Sequence, residues 1–297
     1  MKYIYNIDGL KNHDENSAFE EKIGKKAQNL FELAIHGFNV PDFSVITNRY
    51  FKEVILDEIR EYCKSEITDW DSVFEGDSEE KIGNMIEVIK NHKIREEFKR
   101  EIEKIVKDGS YYAVRSSSVE EDSSNFSFAG QFETYLYVRK ENMLEKVKEV
   151  WISSFSSHVM RYRKEGKINN EVNVPAVIIQ EMINSEKAGV GFSVNPVNGD
   201  HDEIVISGTF GLGTSIVDGD ENGDLFIYNK ETKEIKKEIG IKKVKQSLDF
   251  ENHGIKIEEI NVGDEVLNDA EITELGENII NIEKYYGKPQ DMEWAFE

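Results

Sequence analysis

Cysteine is almost absent from this sequence: Cys63 stands alone among 297 residues. A single thiol excludes a disulfide framework and a cysteine-rich zinc site. No apolar run approaches the length of a membrane span. The N-terminus, Met1-Lys2-Tyr3-Ile4-Tyr5-Asn6, lacks the apolar core of a signal peptide. Cations are scarce beside anions, with 37 Lys and Arg against 59 Asp and Glu, a formal net charge of -22. Such a surface repels nucleic acid and anionic lipid over long range, so neither is an expected partner. A cytoplasmic protein is the expectation. A nucleotide ligand would need a local cationic pocket and a divalent metal. No Walker A pattern occurs, and there is no internal repeat or low-complexity tract.

What is present is a chain long enough for one large or two medium domains. Residues 24–36 read as a helix, with Ala27, Leu30, Phe31 and Ala34 in helical period and Gly37 as a stop. Phe43 to Thr47 reads as a strand. Thr47 is placed to cap a following helix that carries Phe51, Val54, Ile55, Ile59 and Tyr62. Helical period returns over 78–89 and 94–106. Tyr111 to Val114 is a short strand ending at Arg115, and Thr134 to Val138 is another. Residues 141–164 read as one long helix. Beyond Asn184 the texture changes to short strands separated by glycines. A last helix runs from about Ile272 to Tyr286 and a final strand covers 291–296. The expected division is a helix-rich lobe, 1–183, and a strand-rich lobe, 184–297. No long linker separates them, which favours two lobes sharing a cleft.

The segment from Tyr112 to Thr134 carries the most chemistry. After its strand come Arg115, three serines, an acidic run and the small-residue loop Ser127-Phe128-Ala129-Gly130-Gln131. Arginine offers a rigid fork of donors matched to phosphate oxygens. Small residues let backbone N–H groups approach an anion, with Gly130 and the Thr134 hydroxyl at the loop's far side. A strand, a polar loop and a solvated arginine account for the same residues. Lys26, near a helix start, could reach a phosphate that also feels the helix dipole. Taken singly, a solvated lysine is the simpler account. Gln180-Glu181-Met182-Ile183 ends an apolar strand at the lobe junction, where an adenine could pair with backbone groups; an ordinary strand end reads equally well. Asp291 and Glu293 lie two apart on a strand and so face one way, with Met292 and Trp294 toward the core. Two hard oxygen ligands suit Mg²⁺ bridging nucleotide phosphates, and a solvent-facing strand edge is the alternative.

Taken in order, seven stretches resemble the N-terminal nucleotide-binding region of the phosphoenolpyruvate synthase and pyruvate phosphate dikinase family. They are Gly24–Leu30, Val40–Thr47, Ala113–Thr134, Ile179–Met182, Ala188–Pro196, Gly211-Leu212-Gly213 and Tyr286–Trp294. The rifampicin phosphotransferases share that region. The resemblance covers nearly the whole chain. It implies an α+β, ATP-grasp-like fold: two lobes with mixed or antiparallel sheets, flanked by helices, and a nucleotide cleft between them. It implies ATP and Mg²⁺ as cofactors. Lys26 and Arg115 would hold ATP phosphates and carry the catalysis, and Gly130 and Thr134 would belong to a phosphate-covering loop. Gln180 and Met182 would lie by the adenine, and Asp291 and Glu293 would bind the metal, Glu293 also serving the nucleotide. Such enzymes phosphorylate a histidine on a separate domain or subunit, which passes the group to a small acceptor bound elsewhere, pyruvate or an antibiotic.

The sequence departs from the family pattern in places. Lys25 and Ala27 stand where glycines usually flank the lysine, and Thr214 where a glutamate usually follows the Gly-Leu-Gly element. The family's further strand, bearing a glutamine and an arginine, does not follow Glu297. None of His13, His36, His92, His158, His201 or His253 has the surroundings of a carrier histidine. The expectation is an ATP-dependent phosphotransferase part, inactive alone. A rifampicin-type ATP-binding part and a nucleotide-sensing module without catalysis are the alternatives.

Overall fold

The computed structural model describes residues 3–11, 17–64, 66–118, 132–166, 171–213, 223–252 and 254–297. They form two compact units, Met1–Met182 and Ile183–Glu297. The architecture is α+β, with antiparallel sheets flanked by helices.

The first unit is built on five strands: β1 (Ile4–Asn6), β2 (Phe43–Ile46), β3 (Tyr112–Ser117), β4 (Thr134–Val138) and β5 (Ala176–Glu181). Their order is β1-β2-β5-β3-β4, and every neighbouring pair is antiparallel. β2 is buried along its whole length and β5 along all but its last residue, because both faces of this sheet are covered. Helix α1 (Ile7–Lys11) precedes α2 (Ser17–Ile35). Ile23 and Ala27 of α2 pack on Phe43, Val45, Ala176 and Ile178 on one face.

The other face buries Val114, Val177 and Ile179 in a larger core with Trp70, Met85, Ile89, Phe98, Val147 and Trp151. Its helices are α3 (Leu56–Cys63), α4 (Trp70–Phe74), α5 (Ser78–Asn91), α6 (Glu96–Ile105), α7 (Met143–Ser153) and α8 (Ser157–Gly166). A π-helical turn, Phe51–Ile55, leads into α3 and buries Phe51, Val54 and Ile55.

The second unit holds β6 (Lys187–Phe192), β7 (Glu203–Phe210), β8 (Asp224–Asn229), β9 (Ile235–Glu238) and β12 (Asp291–Phe296), in the order β12-β6-β7-β8-β9. Helix α9 (Asp269–Tyr286) covers one face, burying Ile272, Leu275 and Ile279 against Ile204, Ile206, Phe226 and Tyr228. Asn268 and Glu271 close a capping box at its start, and Gly287 takes the left-handed conformation at its end. Gly276 has no room for a side chain, since a Cβ there would lie 2.6 Å from the Tyr228 ring. A hairpin, β10 (Val244–Asp249) with β11 (Gly254–Glu259), is held by a bridge from Gly211 to Gln246 and by the Leu248 N–H donating to Asn184 Oδ1 at 2.9 Å.

One buried ion pair ties this unit together. Asp224 and Lys242 are both fully buried and paired. Asp224 Oδ1 also accepts from the Gly240 N–H at 2.9 Å, and Oδ2 from the Val266 N–H at 2.8 Å. The Lys242 ammonium donates to Gly240 O at 3.2 Å. A strand, the loop after β9 and the approach to α9 thus meet on one carboxylate.

Several sequence expectations need correction. The helix expected over 24–36 begins at Ser17 and carries a kink at Gly24. The single helix expected over 141–164 is two, α7 and α8. The Ser153 hydroxyl donates to Val150 O at 2.7 Å, and the N–H groups of Ser154, Phe155 and Ser156 bond three residues back. The turn tightens and the α-helix ends there. Phe155 stays buried, so the apolar period continues across the break. Thr47 does not cap a helix; its hydroxyl donates to Tyr3 O at 3.2 Å. Tyr62 is exposed.

Candidate functional site

The first cluster starts from the kink in α2. Gly24 has φ 74° and ψ 168°, outside helical space, and the helix resumes at Lys25. A Cβ at Gly24 would lie 2.2 Å from Ser117 O, so only glycine allows this approach. The resumed helix is pinned to the end of β3. The Lys25 N–H donates to Ser118 O at 3.3 Å, and the Ala27 N–H donates to Ser117 Oγ at 3.0 Å. Lys26 stands in this first turn, partly buried. The Lys25 ammonium is engaged with Gln28 Oε1 at 3.2 Å.

Strand register gathers the next residues. Arg115 lies opposite Ile178 on β5 and opposite Thr134 on β4, while Gln180 lies opposite Ala113. Directly opposed residues in an antiparallel pair share a face. Arg115, Thr134, Gln180 and Ser117 therefore all project to the α2 side of the sheet. Arg115 Nη1 donates to Gln180 Oε1 at 3.4 Å. Arg115 is not at a strand end, as the sequence suggested, but inside β3, with Ser116 and Ser117 continuing the pairing to Val177 and Ala176. Gln180 is 9% exposed and Thr134 is exposed.

Met182 closes the strand, its N–H donating to Tyr111 O at 2.8 Å. Its sulfur accepts from the Tyr137 N–H at 3.2 Å. Glu181 is committed elsewhere, to Lys107 Nζ at 2.7 Å and to the Ser110 hydroxyl at 3.0 Å. Gly130 and Thr214 lie outside the described residues. Lys26's helix, Arg115, Thr134 and Gln180 thus come to one face of one sheet.

The second cluster lies in the other unit. On β12, Asp291 and Glu293 are exposed while Met292 and Trp294 pack on the α9 core. Asp291 stands opposite Phe192 and Glu293 opposite Val190, so the two carboxylates share the face away from that core. Among the described residues no group of three or more His, Cys, Asp or Glu side chains could form a metal cage. Two carboxylates without a cage fit Mg²⁺, which keeps waters and takes its remaining ligands from substrate phosphates. They do not fit a structural zinc site.

Ser117 is the residue that sequence reading missed here. Glycine inside a helical pattern followed by two lysines was the available signal, but it names no partner. Of the histidines, His92 is buried, with Nδ1 2.7 Å from Glu58 Oε2 and Nε2 3.1 Å from the Tyr50 hydroxyl. That is a packing role, not the exposed setting of a phosphoryl carrier.

Residues 20–297 match the family described as pyruvate phosphate dikinase, AMP/ATP-binding domain. The chain belongs to this family. Its α+β architecture is accordingly ATP-grasp-like. The chain is 34% identical, over all of its length, to a probable phosphoenolpyruvate synthase of Methanocaldococcus jannaschii, covering 26% of that protein. It is 36% identical to an uncharacterized phosphotransferase, YvkC, of Bacillus subtilis, over 92% of the chain and 31% of that protein. It is 37% identical to phosphoenolpyruvate synthase of Pyrococcus furiosus, over 69% of the chain and 26% of that protein. The chain thus spans roughly a quarter to a third of the length of these relatives. Among the described residues no helix is long and apolar enough to cross a membrane.

The Gly24 kink makes a direct prediction. Gly24→Ala is expected to destabilise the chain by about 1–3 kcal/mol, because the positive φ and the Ser117 contact both oppose a Cβ. Urea unfolding followed by circular dichroism measures this. An unchanged midpoint would mean that the kink is not held as described.

Proposed function

We propose that the chain is the nucleotide-binding part of a dikinase-type phosphotransferase. It binds Mg·ATP and phosphorylates a histidine carried by a separate domain or subunit. The observation that supports this most is the single sheet face that carries Arg115, Gln180 and Thr134 and receives the pinned start of the Lys26 helix. The Arg115 guanidinium on this face and a lysine in the adjoining helix turn supply local positive charge on a chain of net charge -22. A polyphosphate would require such local charge.

In this reading Arg115 and Lys26 orient the phosphates and offset charge that builds up during in-line transfer. Gly130 and Thr134 cover the phosphates. Gln180 accepts from Arg115, which leaves its amide N–H groups for the base. The N–H groups of Glu181 and Met182 are spent on Asp42 O and Tyr111 O. An adenine at this strand end is therefore read by carbonyl oxygens and by Gln180. Asp291 and Glu293 hold the metal, and Mg²⁺ supplies charge neutralisation across phosphate oxygens there. Pyruvate is the acceptor suggested by the relatives' names, and the carrier histidine is supplied from outside residues 1–297.

Asp291→Asn combined with Glu293→Gln is expected to remove most of the Mg²⁺ dependence of ATP binding. Titration calorimetry with and without Mg²⁺ checks this. Wild type should gain at least about tenfold in affinity from the metal, or about 1.4 kcal/mol, and the double variant little. Equal gains in both proteins would exclude these carboxylates as metal ligands. For the transfer step, the chain is incubated with γ-labelled ATP and a histidine domain from a relative. Label on that domain is the expected result. Its absence, with nucleotide binding intact, would leave binding without transfer.

A further inference from the structure

The kinked segment of α2 is tied down on both sides of Gly24. Before the kink, Lys22 O accepts from the Asn48 N–H at 3.2 Å. After it, the Lys25 N–H donates to Ser118 O and the Ala27 N–H to Ser117 Oγ. Residues 22–27 are therefore clamped between the end of β3 and the chain that leaves β2. Of these three bonds only one is made by a side chain, the Ser117 hydroxyl.

That hydroxyl does the work of a helix cap from a distance. The helix resumes at Lys25, so Gly24 stands at the cap position and Ala27 is the third helical residue. A cap side chain ordinarily accepts from the N–H of the second or third helical residue. Gly24 has no side chain and no room for one. Ser117, 90 residues from Ala27 in the sequence, supplies the oxygen instead. A local serine cap would stabilise the helix start equally well. A cap delivered by β3 also fixes where that start lies on the sheet. Ser117 ends β3, opposite Ala176, and is 1% exposed. Strand alternation puts it on the face of Arg115, two residues earlier and about 7 Å along the strand. One end of the bond thus belongs to the strand of Arg115, and the other to the residue after Lys26.

We propose that Ser117 is a positioning residue that registers Lys26 against Arg115, so that ammonium and guanidinium act as one clamp on the phosphates. The proposal rests on the nucleotide reading above. Ser117 acts through Lys26 and touches no phosphate itself. Small displacements of a charged group at a reacting phosphate have large effects, which is why its support is worth a buried hydrogen bond.

The test is titration calorimetry of the full chain with Mg²⁺ and a non-hydrolysable ATP analogue. Ser117→Ala is expected to weaken binding about tenfold in the unmodified chain and less than about twofold in a Lys26→Ala background. A cap that only stabilised the fold would give the same factor in both. Ser117→Cys keeps a side chain of similar size with a poor acceptor, and should behave as Ser117→Ala; it serves where the smaller residue impairs folding. Faster amide exchange at Ala27 reports the lost bond in either variant. Equal losses in the two backgrounds, or affinity of both Ser117 variants within about twofold of wild type, would overturn the positioning role while Lys26→Ala still reports on the phosphate site. No binding of the analogue by the unmodified chain would overturn the nucleotide reading, and this role with it.

Discussion

Lys242→Met is expected to lower the unfolding free energy by about 3–5 kcal/mol. Both members of the Asp224–Lys242 pair are fully buried. Removing the ammonium leaves a carboxylate in the interior with only two backbone N–H donors, from Gly240 and Val266. An uncompensated buried charge costs far more than the net worth of the pair that held it. The cost depends on charge rather than on packing, because methionine nearly matches the lysine stem in volume. Adding Asp224→Asn to Lys242→Met removes the charge and keeps an oxygen for the backbone donors, so it should recover about half the loss. Urea unfolding monitored by circular dichroism gives the magnitude, and hydrogen exchange at β8 amides shows where it falls. A loss below about 1 kcal/mol for the single variant would mean that water reaches the pair.

Arg115→Ala is expected to weaken ATP binding about 100-fold, or about 2.7 kcal/mol. The guanidinium is placed by β3 on two sides, opposite Ile178 and Thr134, and oriented by Gln180 Oε1. That placement fixes a fork of donors at the face where the Lys26 helix begins. Arg115→Lys keeps the charge but loses the fork, and should recover less than a tenth of the lost affinity. Circular dichroism spectra of both variants should match wild type, because strand pairing at position 115 uses backbone groups. Affinity within threefold of wild type for Arg115→Ala would remove this residue from the phosphate site.

Strands β4 and β12 were legible to the residue, since each alternates and is bounded by turn or loop residues. The two-residue spacing of Asp291 and Glu293 could be read for the same reason. Other features depended on contacts that a local pattern does not carry. β3 runs on through Arg115-Ser116-Ser117 because β5 offers it partners, although serines signal a loop. The Gly24 kink follows from the approach of Ser117, which lies far away in the sequence. The break between α7 and α8 keeps the apolar phase and so left no mark on it. β10 and β11 are dense in charge and leave Ile255 and Ile257 exposed, so they lack the buried alternation that reveals a strand. Lys26, Arg115 and Gln180 were picked out through the order of motifs along the chain. Ser117, with no motif of its own, was not.

The central claim is that the sheet face carrying Arg115, Thr134 and Gln180, beside the start of the Lys26 helix, receives the phosphates of ATP. Amide NMR of the full chain, titrated with Mg²⁺ and a non-hydrolysable ATP analogue, tests this most directly. The account predicts saturable shifts at Arg115, Thr134 and Gln180. Saturable binding of the analogue that leaves all three signals unmoved would contradict it.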